Sequence, residues 1–173
     1  MFSQMSDKAR VLWIGVPSLL VIATLVAMFF LNHEPPAYNP IARATLHAQE
    51  HGHQVVAGYA TTSTLIETVD VLLNKRGGYL TNDIAPPGIW MDNVPNWEFG
   101  VLVQVRDMAR TLRNNLSRSQ SQSTEDSGLV AAENQFYFDS SSWMLPETEA
   151  EYQKGIDALE TYLVRLGDDN EQD

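Results

Sequence analysis

Along most of the chain apolar and polar residues alternate, but from Val11 to Leu31 they do not. The segment VLWIGVPSLLVIATLVAMFFL carries no charge and no polar face. Its 21 residues, at about 1.5 Å each, reach roughly 30 Å, the thickness of a bilayer's hydrocarbon core. Thirteen are Val, Leu, Ile or Phe, which together favour insertion by on the order of 5 kcal/mol. Gly15, Pro17 and Ser18 offset part of this but are tolerated in spanning helices. A soluble core helix would keep polar residues on one side. A cleaved signal peptide would have a shorter apolar stretch and a small-x-small site after it. This stretch ends Met28-Phe29-Phe30-Leu31-Asn32-His33-Glu34, so it predicts an uncleaved transmembrane helix.

Helical periodicity returns after a stiff spacer, residues 32–40, with three prolines in nine. Residues 41–51 predict a short helix with Ile41, Ala44 and Ala48 on one side, weakened at Gly52. Residues 64–76 predict a stronger one. Leu65, Ile66, Val69, Leu72 and Leu73 form its stripe, Thr64-x-x-Glu67 matches a capping box, and Gly77-Gly78 ends it. Residues 79–96 hold Tyr79, Trp90 and Met91 among three prolines. They predict an ordered loop wrapped on the core, with Trp90 and Trp97 as anchors. A third helix follows from an Asn96 cap to about residue 118, with Phe99, Leu102, Val105 or Arg106, Ala109, Leu112 and Leu116 at helical spacing. Residues 117–127, SRSQSQSTEDS, read as a mobile polar loop. Phe136-Tyr137-Phe138 and Trp143-Met144-Leu145 are short patches expected to dock on the core. From Pro146 a last helix carries Tyr152, Ile156, Leu159, Leu163 and Leu166 at i, i+4, i+7, i+11 and i+14. That seam is two residues wide per heptad and predicts packing against one other helix, in this chain or a partner.

No strand of convincing alternation occurs. The fold class is mainly α: one N-terminal transmembrane helix and a small helical extracytoplasmic domain with long ordered loops. Lys8 and Arg10 precede the span and His33, Glu34 and two prolines follow it. The positive-inside rule therefore puts residues 1–10 in the cytoplasm and residues 32–173 outside it. Residues 41–167 form the soluble domain and 168–173 an acidic tail. At 173 residues and 19.4 kDa the chain supports one domain with an appendage. The net charge of −11 disfavours nucleic acid as a partner, and it is concentrated in residues 121–173, which hold 13 acids and 2 bases. Without cysteine, disulfides, thiolate metal sites and cysteine nucleophiles are excluded.

Gly77-Gly78-Tyr79-Leu80, Pro86-Pro87-Gly88, the run from Asp92 to Asp107 (DNVPNWEFGVLVQVRD) and the run from Ser117 to Ser123 (SRSQSQS) carry a family likeness. Over residues 11–166 the chain resembles the DUF2333 family of bacterial membrane proteins. Members are usually longer, so the resemblance implies a short member or the N-terminal half of one. It also implies a Gram-negative envelope setting. The family has no assigned activity, and no catalytic residue carries over.

Three constellations have chemistry to offer. His47, His51 and His53 are the metal candidates, since His47 and His51 lie one helical turn apart and imidazole suits zinc, copper or nickel. The plain alternative is a solvated polar cluster, because three or four converging ligands are needed and no HExxH occurs. Asp83, Asp92 and Glu98 beside aromatics resemble a glycosidase loop, although turn and cap chemistry explains them as well. Arg106, Arg110 and Arg113 make a basic stripe for an anionic partner or for the chain's own acidic C-terminal region, with Glu147, Glu149, Glu151, Asp157 and Glu160 as the internal partners. Asn115-Leu116-Ser117 is formally a glycosylation sequon, accidental on a helix in a bacterial chain. Phosphate-loop and GxSxG patterns do not occur, and no cofactor is expected.

The expectation is a single-pass inner-membrane protein with its main domain in the periplasm, a structural or interaction subunit of an envelope complex. Its partners are the lipid bilayer and other envelope membrane proteins. The Ala23-x-x-x-Ala27 pair also suits a homo-oligomer. Tyr152, Ile156, Leu159, Leu163 and Leu166, with the three arginines, are the candidate partner-binding residues. The alternative is a membrane-tethered hydrolase or metal-dependent enzyme built on the histidines or the carboxylates.

Overall fold

A computed structural model of the chain describes residues 11–116 and 125–167. The expected cytoplasmic N-terminus, the acidic tail, most of the 117–127 loop and the Leu116 side chain lie outside the described residues. Within them there are six helices and no strand. Helix α1 spans Val11–Leu31. It is wound as a π-helix over Val11–Gly15 and as an α-helix over Val16–Leu31. Pro17, which has no N–H and crowds the carbonyl four residues back, sits just after the change of winding.

Helix α2 (Pro40–His51) starts where the Asn39 side chain accepts hydrogen bonds from Ile41 N (3.1 Å) and Ala42 N (3.2 Å), and stops at Gly52, φ 71°. Ala44 and Ala48 are buried as expected, whereas Ile41 is exposed. Helix α3 (Tyr59–Asn74) begins five residues before the expected start. Gly58, φ 91°, makes the boundary, and Thr64 Oγ1 donates back to Ala60 O (2.7 Å) inside the helix. The supposed capping box is therefore a mid-helix Thr and Glu. Its stripe of Leu65, Ile66, Val69, Leu72 and Leu73 is buried throughout.

Helix α4 (Asn93–Leu116) also starts early. Pro95 fits its first turn, where an N–H would go unused, and Asn96 N already donates to Asp92 O (3.0 Å) instead of Asn96 capping. Leu102, Val105, Ala109 and Leu112 are buried, but Phe99 is exposed. Helix α5 (Ser127–Phe136) was not expected. Asp126 caps it by accepting from Gly128 N (2.7 Å) and Leu129 N (3.2 Å). Helix α6 (Thr148–Gly167) completes the chain's described part.

The four helices α3 to α6 form an up-and-down bundle, with α2 laid against α3. Cross-contacts set the directions: Arg106 reaches Phe136 at the end of α5 while Arg113 reaches Glu125 just before its beginning, and Asp126 meets Arg165. Helix α6 packs mainly on α5 and α3 and not on the basic α4, because α5 intervenes. Its buried face is wider than a two-per-heptad seam: Thr148, Glu151, Gly155 and Tyr162 join Tyr152, Ile156, Leu159 and Leu163, while Leu166 is half-buried. Gly155 lets the Phe136 ring pack close, since a Cβ there would lie 2.4 Å from a ring atom.

Two expected anchors are absent from the core. Trp90 is 62% exposed and Trp97 is also exposed, whereas Tyr79 and Leu80 hold the 79–92 loop. Phe136 is buried, but Trp143, Met144 and Leu145 are exposed, Leu145 by 96%.

Candidate functional site

The end of α3, the starts of α4 and α6, and the end of α5 meet at one end of the bundle, where α1 also arrives. Leu31 of α1 rests on Gly77, occupying the place a Cβ would take, beside Leu80. Gly77 (φ 92°) and Gly78 (φ 75°) adopt left-handed values that suit glycine. They turn the chain so that Lys75 points inward under this junction.

Lys75 Nζ bonds the Glu98 carboxylate and the carbonyls of Leu72 (3.1 Å) and Gly78. Glu98, in the second turn of α4, also accepts from Leu80 N (2.9 Å), Thr81 N (2.7 Å) and Thr81 Oγ1. The two side chains are 3% and 0% exposed, and a pair taken so far from water is tolerable only with its remaining donors and acceptors satisfied. The Trp97 and Tyr79 ring centroids lie 6.0 and 5.9 Å from the ammonium. Above the pair, a cleft of about 250 Å³ separates residues 32–35 from Lys75, Asn93, Val94 and Trp97. A second, of about 210 Å³, lies between Met28 and Phe29 of α1 and Trp90, Met91 and Asp92.

The three carboxylates suggested by sequence are not equivalent. Glu98 has both oxygens committed to donors, which leaves it no part as an exposed acid or base. Asp83 lies against Gly88, and desolvation there, followed by the Glu98 charge, pushes its carboxyl above the ordinary carboxylate range, with Lys75 opposing. Asp92 contributes its backbone carbonyl to the start of α4.

His47, His51 and His53 do gather at the opposite end of the bundle, but His47 and His53 meet on a hydroxyl and His51 does not reach it. Nδ1 of His47 is 2.9 Å and Nδ1 of His53 3.1 Å from the hydroxyl of buried Tyr59. His51 stacks on His47 at 4.4 Å and its Nδ1 meets the His47 carbonyl at 2.9 Å. Burial lowers the pKa of His47, and the neighbouring His51 and His53 lower it further against a smaller pull from Glu50. Among the described residues, no three His, Cys, Asp or Glu side chains are placed to hold a metal ion.

The arginines of α4 hold α5. Arg106 donates to the carbonyls of Phe136 (2.8 Å) and Phe138 (2.9 Å), which a helix C-terminus leaves free. Arg110 and Arg113 pair with Glu133 at 3.4 and 2.6 Å, and Arg113 with Glu125 at 3.2 Å. These acids belong to the C-terminal third but not to α6. There Glu149 accepts from Asn82 (2.7 Å) and Glu151 pairs with Lys154 (2.7 Å).

Sequence reasoning did not find the Lys75–Glu98 pair or Tyr59. One signal was available: Glu98 stands four residues before Leu102 in the register of the apolar stripe, where an acid needs a buried partner.

These features define a short helical bundle bearing at one end an apolar helix long enough to cross a membrane. The chain belongs to DUF2333, a family described as an uncharacterized protein conserved in bacteria, which it matches over residues 6–173. No curated protein and no solved structure matches it.

Proposed function

We propose that the chain is a single-pass inner-membrane protein whose helical domain lies in the periplasm and acts as a structural or interaction subunit of an envelope complex. The observation that carries this reading is the junction. No residue of helix α1 is fully buried, and most of its apolar length stands clear of the bundle, so it needs lipid. Yet its last turn is fitted to the domain through Leu31 on Gly77 and the two clefts. A leader destined for removal has no use for such a fit. The flanking charges favour the N-terminus inside. Glu98, Arg106, Arg110 and Arg113 are spent on holding the bundle together, which supports a scaffold over an enzyme.

Two measurements test the reading. A reporter fused after Asp173 and active only in the cytoplasm should be silent, and a bright one overturns the orientation. Mild-detergent extraction of native membranes should release the chain in a particle with a stoichiometric membrane partner. A lone monomer in its micelle overturns the subunit role.

A further inference from the structure

The largest exposed apolar side chains of the domain cluster at the end where α1 joins it. One loop there carries Ile84 (57% exposed), Ile89 (57%) and Trp90 (62%), and the other carries Trp143 (52%), Met144 (59%) and Leu145 (96%). Outside the two loops, among the described residues, Ile41 (73%) and Leu46 (52%) on α2, Val55 (52%), Phe99 (53%) on α4 and Val164 (49%) are comparably exposed, but they are spread over separate elements.

Neither loop is slack. Asn82 Nδ2 donates to Ser142 O (3.0 Å), the Tyr79 hydroxyl to Ser140 O (3.1 Å), and Thr148 Oγ1 to Asp139 O (2.8 Å) and Ser142 O (3.0 Å). These bonds tie the loops to each other and hold their apolar tips outward. Contiguous exposed apolar surface on a built loop marks a contact with something apolar. What that is follows from position. Trp90 and Met91 share a cleft with Met28 and Phe29 in the last turn of α1, the level at which a spanning helix leaves the hydrocarbon.

Resting on the anchor reading above, we propose that the two loops form a collar seated in the interfacial layer of the bilayer that α1 crosses, so that the bundle stands with this end pressed on the membrane. Tryptophan is favoured at that depth, apolar body in lipid and indole N–H in water. Asp83 and Asp92 flank the tips and keep the collar at the headgroup level rather than deeper. Continuity with α1 identifies the bilayer as occupant rather than a protein.

The test uses the full chain in zwitterionic lipid nanodiscs, with variants retaining only Trp13, only Trp90 or only Trp143, the other tryptophans replaced by Phe. Fluorescence is quenched either by lipid brominated near the headgroup or by aqueous iodide. Trp90 and Trp143 should be quenched by the brominated lipid and be several-fold less accessible to iodide than in the same chain in urea. In the Trp143-only chain, Leu145→Asp should restore iodide quenching with unchanged circular dichroism, because Leu145 makes almost no contact with the fold. Trp90 and Trp143 open to iodide while Trp13 is quenched by lipid would overturn the collar and leave the anchor standing. A Trp13 untouched by brominated lipid would overturn the anchor, and the collar with it.

Discussion

Removing the Glu98 carboxylate should unfold the end of the bundle where α1 joins before it affects anything else. In Glu98→Ala the Lys75 ammonium, 3% exposed, keeps the carbonyls of Leu72 and Gly78 but loses its counter-charge. The amides of Leu80 and Thr81 lose their acceptor as well. An uncompensated buried charge costs about 3–5 kcal/mol. For a domain of this size that is a fall in Tm of roughly 10–25 °C. Lys75→Met should cost less, about 1–3 kcal/mol, because Glu98 retains three other donors. The double variant removes the stranded charge, so its cost should fall short of the two single costs added together by about 2 kcal/mol. Thermal melts of the full chain in mild detergent, followed by circular dichroism, measure all three. Trypsin cleavage after exposed Arg76 reports locally on the same region. Additive costs, or a Glu98→Ala loss under about 1 kcal/mol, would refute the argument that this pair holds the junction.

Two glycines separate packing from helix propensity. Gly155→Ala should destabilise by about 1–2 kcal/mol, as overpacking against the buried Phe136 ring exceeds the gain in propensity. Gly100→Ala, with nothing within 4 Å of the new methyl, should stabilise by about 0.5–1 kcal/mol in the same melts. Leu159→Ala, at a position with no exposure, should cost about 2–5 kcal/mol. An unchanged melting curve would mean that the α6 face is not core. The histidine cluster should make stability depend on pH: burial and its histidine neighbours hold the folded pKa of His47 below the ordinary imidazole value of about 6.5, so the unfolded chain takes up the proton first. Stability is then full above 6.5 and is lost as pH falls through the lowered value. His47→Gln should flatten that slope in melts across the acid range, and an equally steep slope in the variant would exclude His47 as its source.

What could be read from the sequence was short-range. The uncharged run of α1 and the apolar stripes of α3, α4 and α6 repeat within one element, and most of their residues lie where the spacing implied, Phe99 being the exposed exception. The boundaries were harder. Thr64-x-x-Glu67 has the composition of a cap, but helix starts depend on which residue leaves the helical region, and Gly58 does so. Helix α5 was missed because SGLVAAENQF is too short for a periodic stripe to stand out. Its Asp126 cap sits in a stretch whose composition, SRSQSQSTEDS, reads as a polar loop. Missing α5 carried a second error with it, since the arginines of α4 and the seam of α6 were then left to face each other.

The aromatic loops fail for a different reason, and it bears on what the protein is. Trp90, Trp143 and Leu145 were expected inside because burial in the fold is the usual way to remove such groups from water. That inference holds for a protein surrounded by water on all sides. If α1 crosses a bilayer, as proposed above, the chain has a second apolar phase at that end, and a residue's hydropathy does not say which phase receives it. The position of α1 supplies that information only once the fold is known. Helix α3 returns the chain to the end from which it set out, α5 does so again, and the two loops formed there are the ones with outward-facing apolar tips. On a bundle with no membrane beside it, the same tips would be an aggregation hazard.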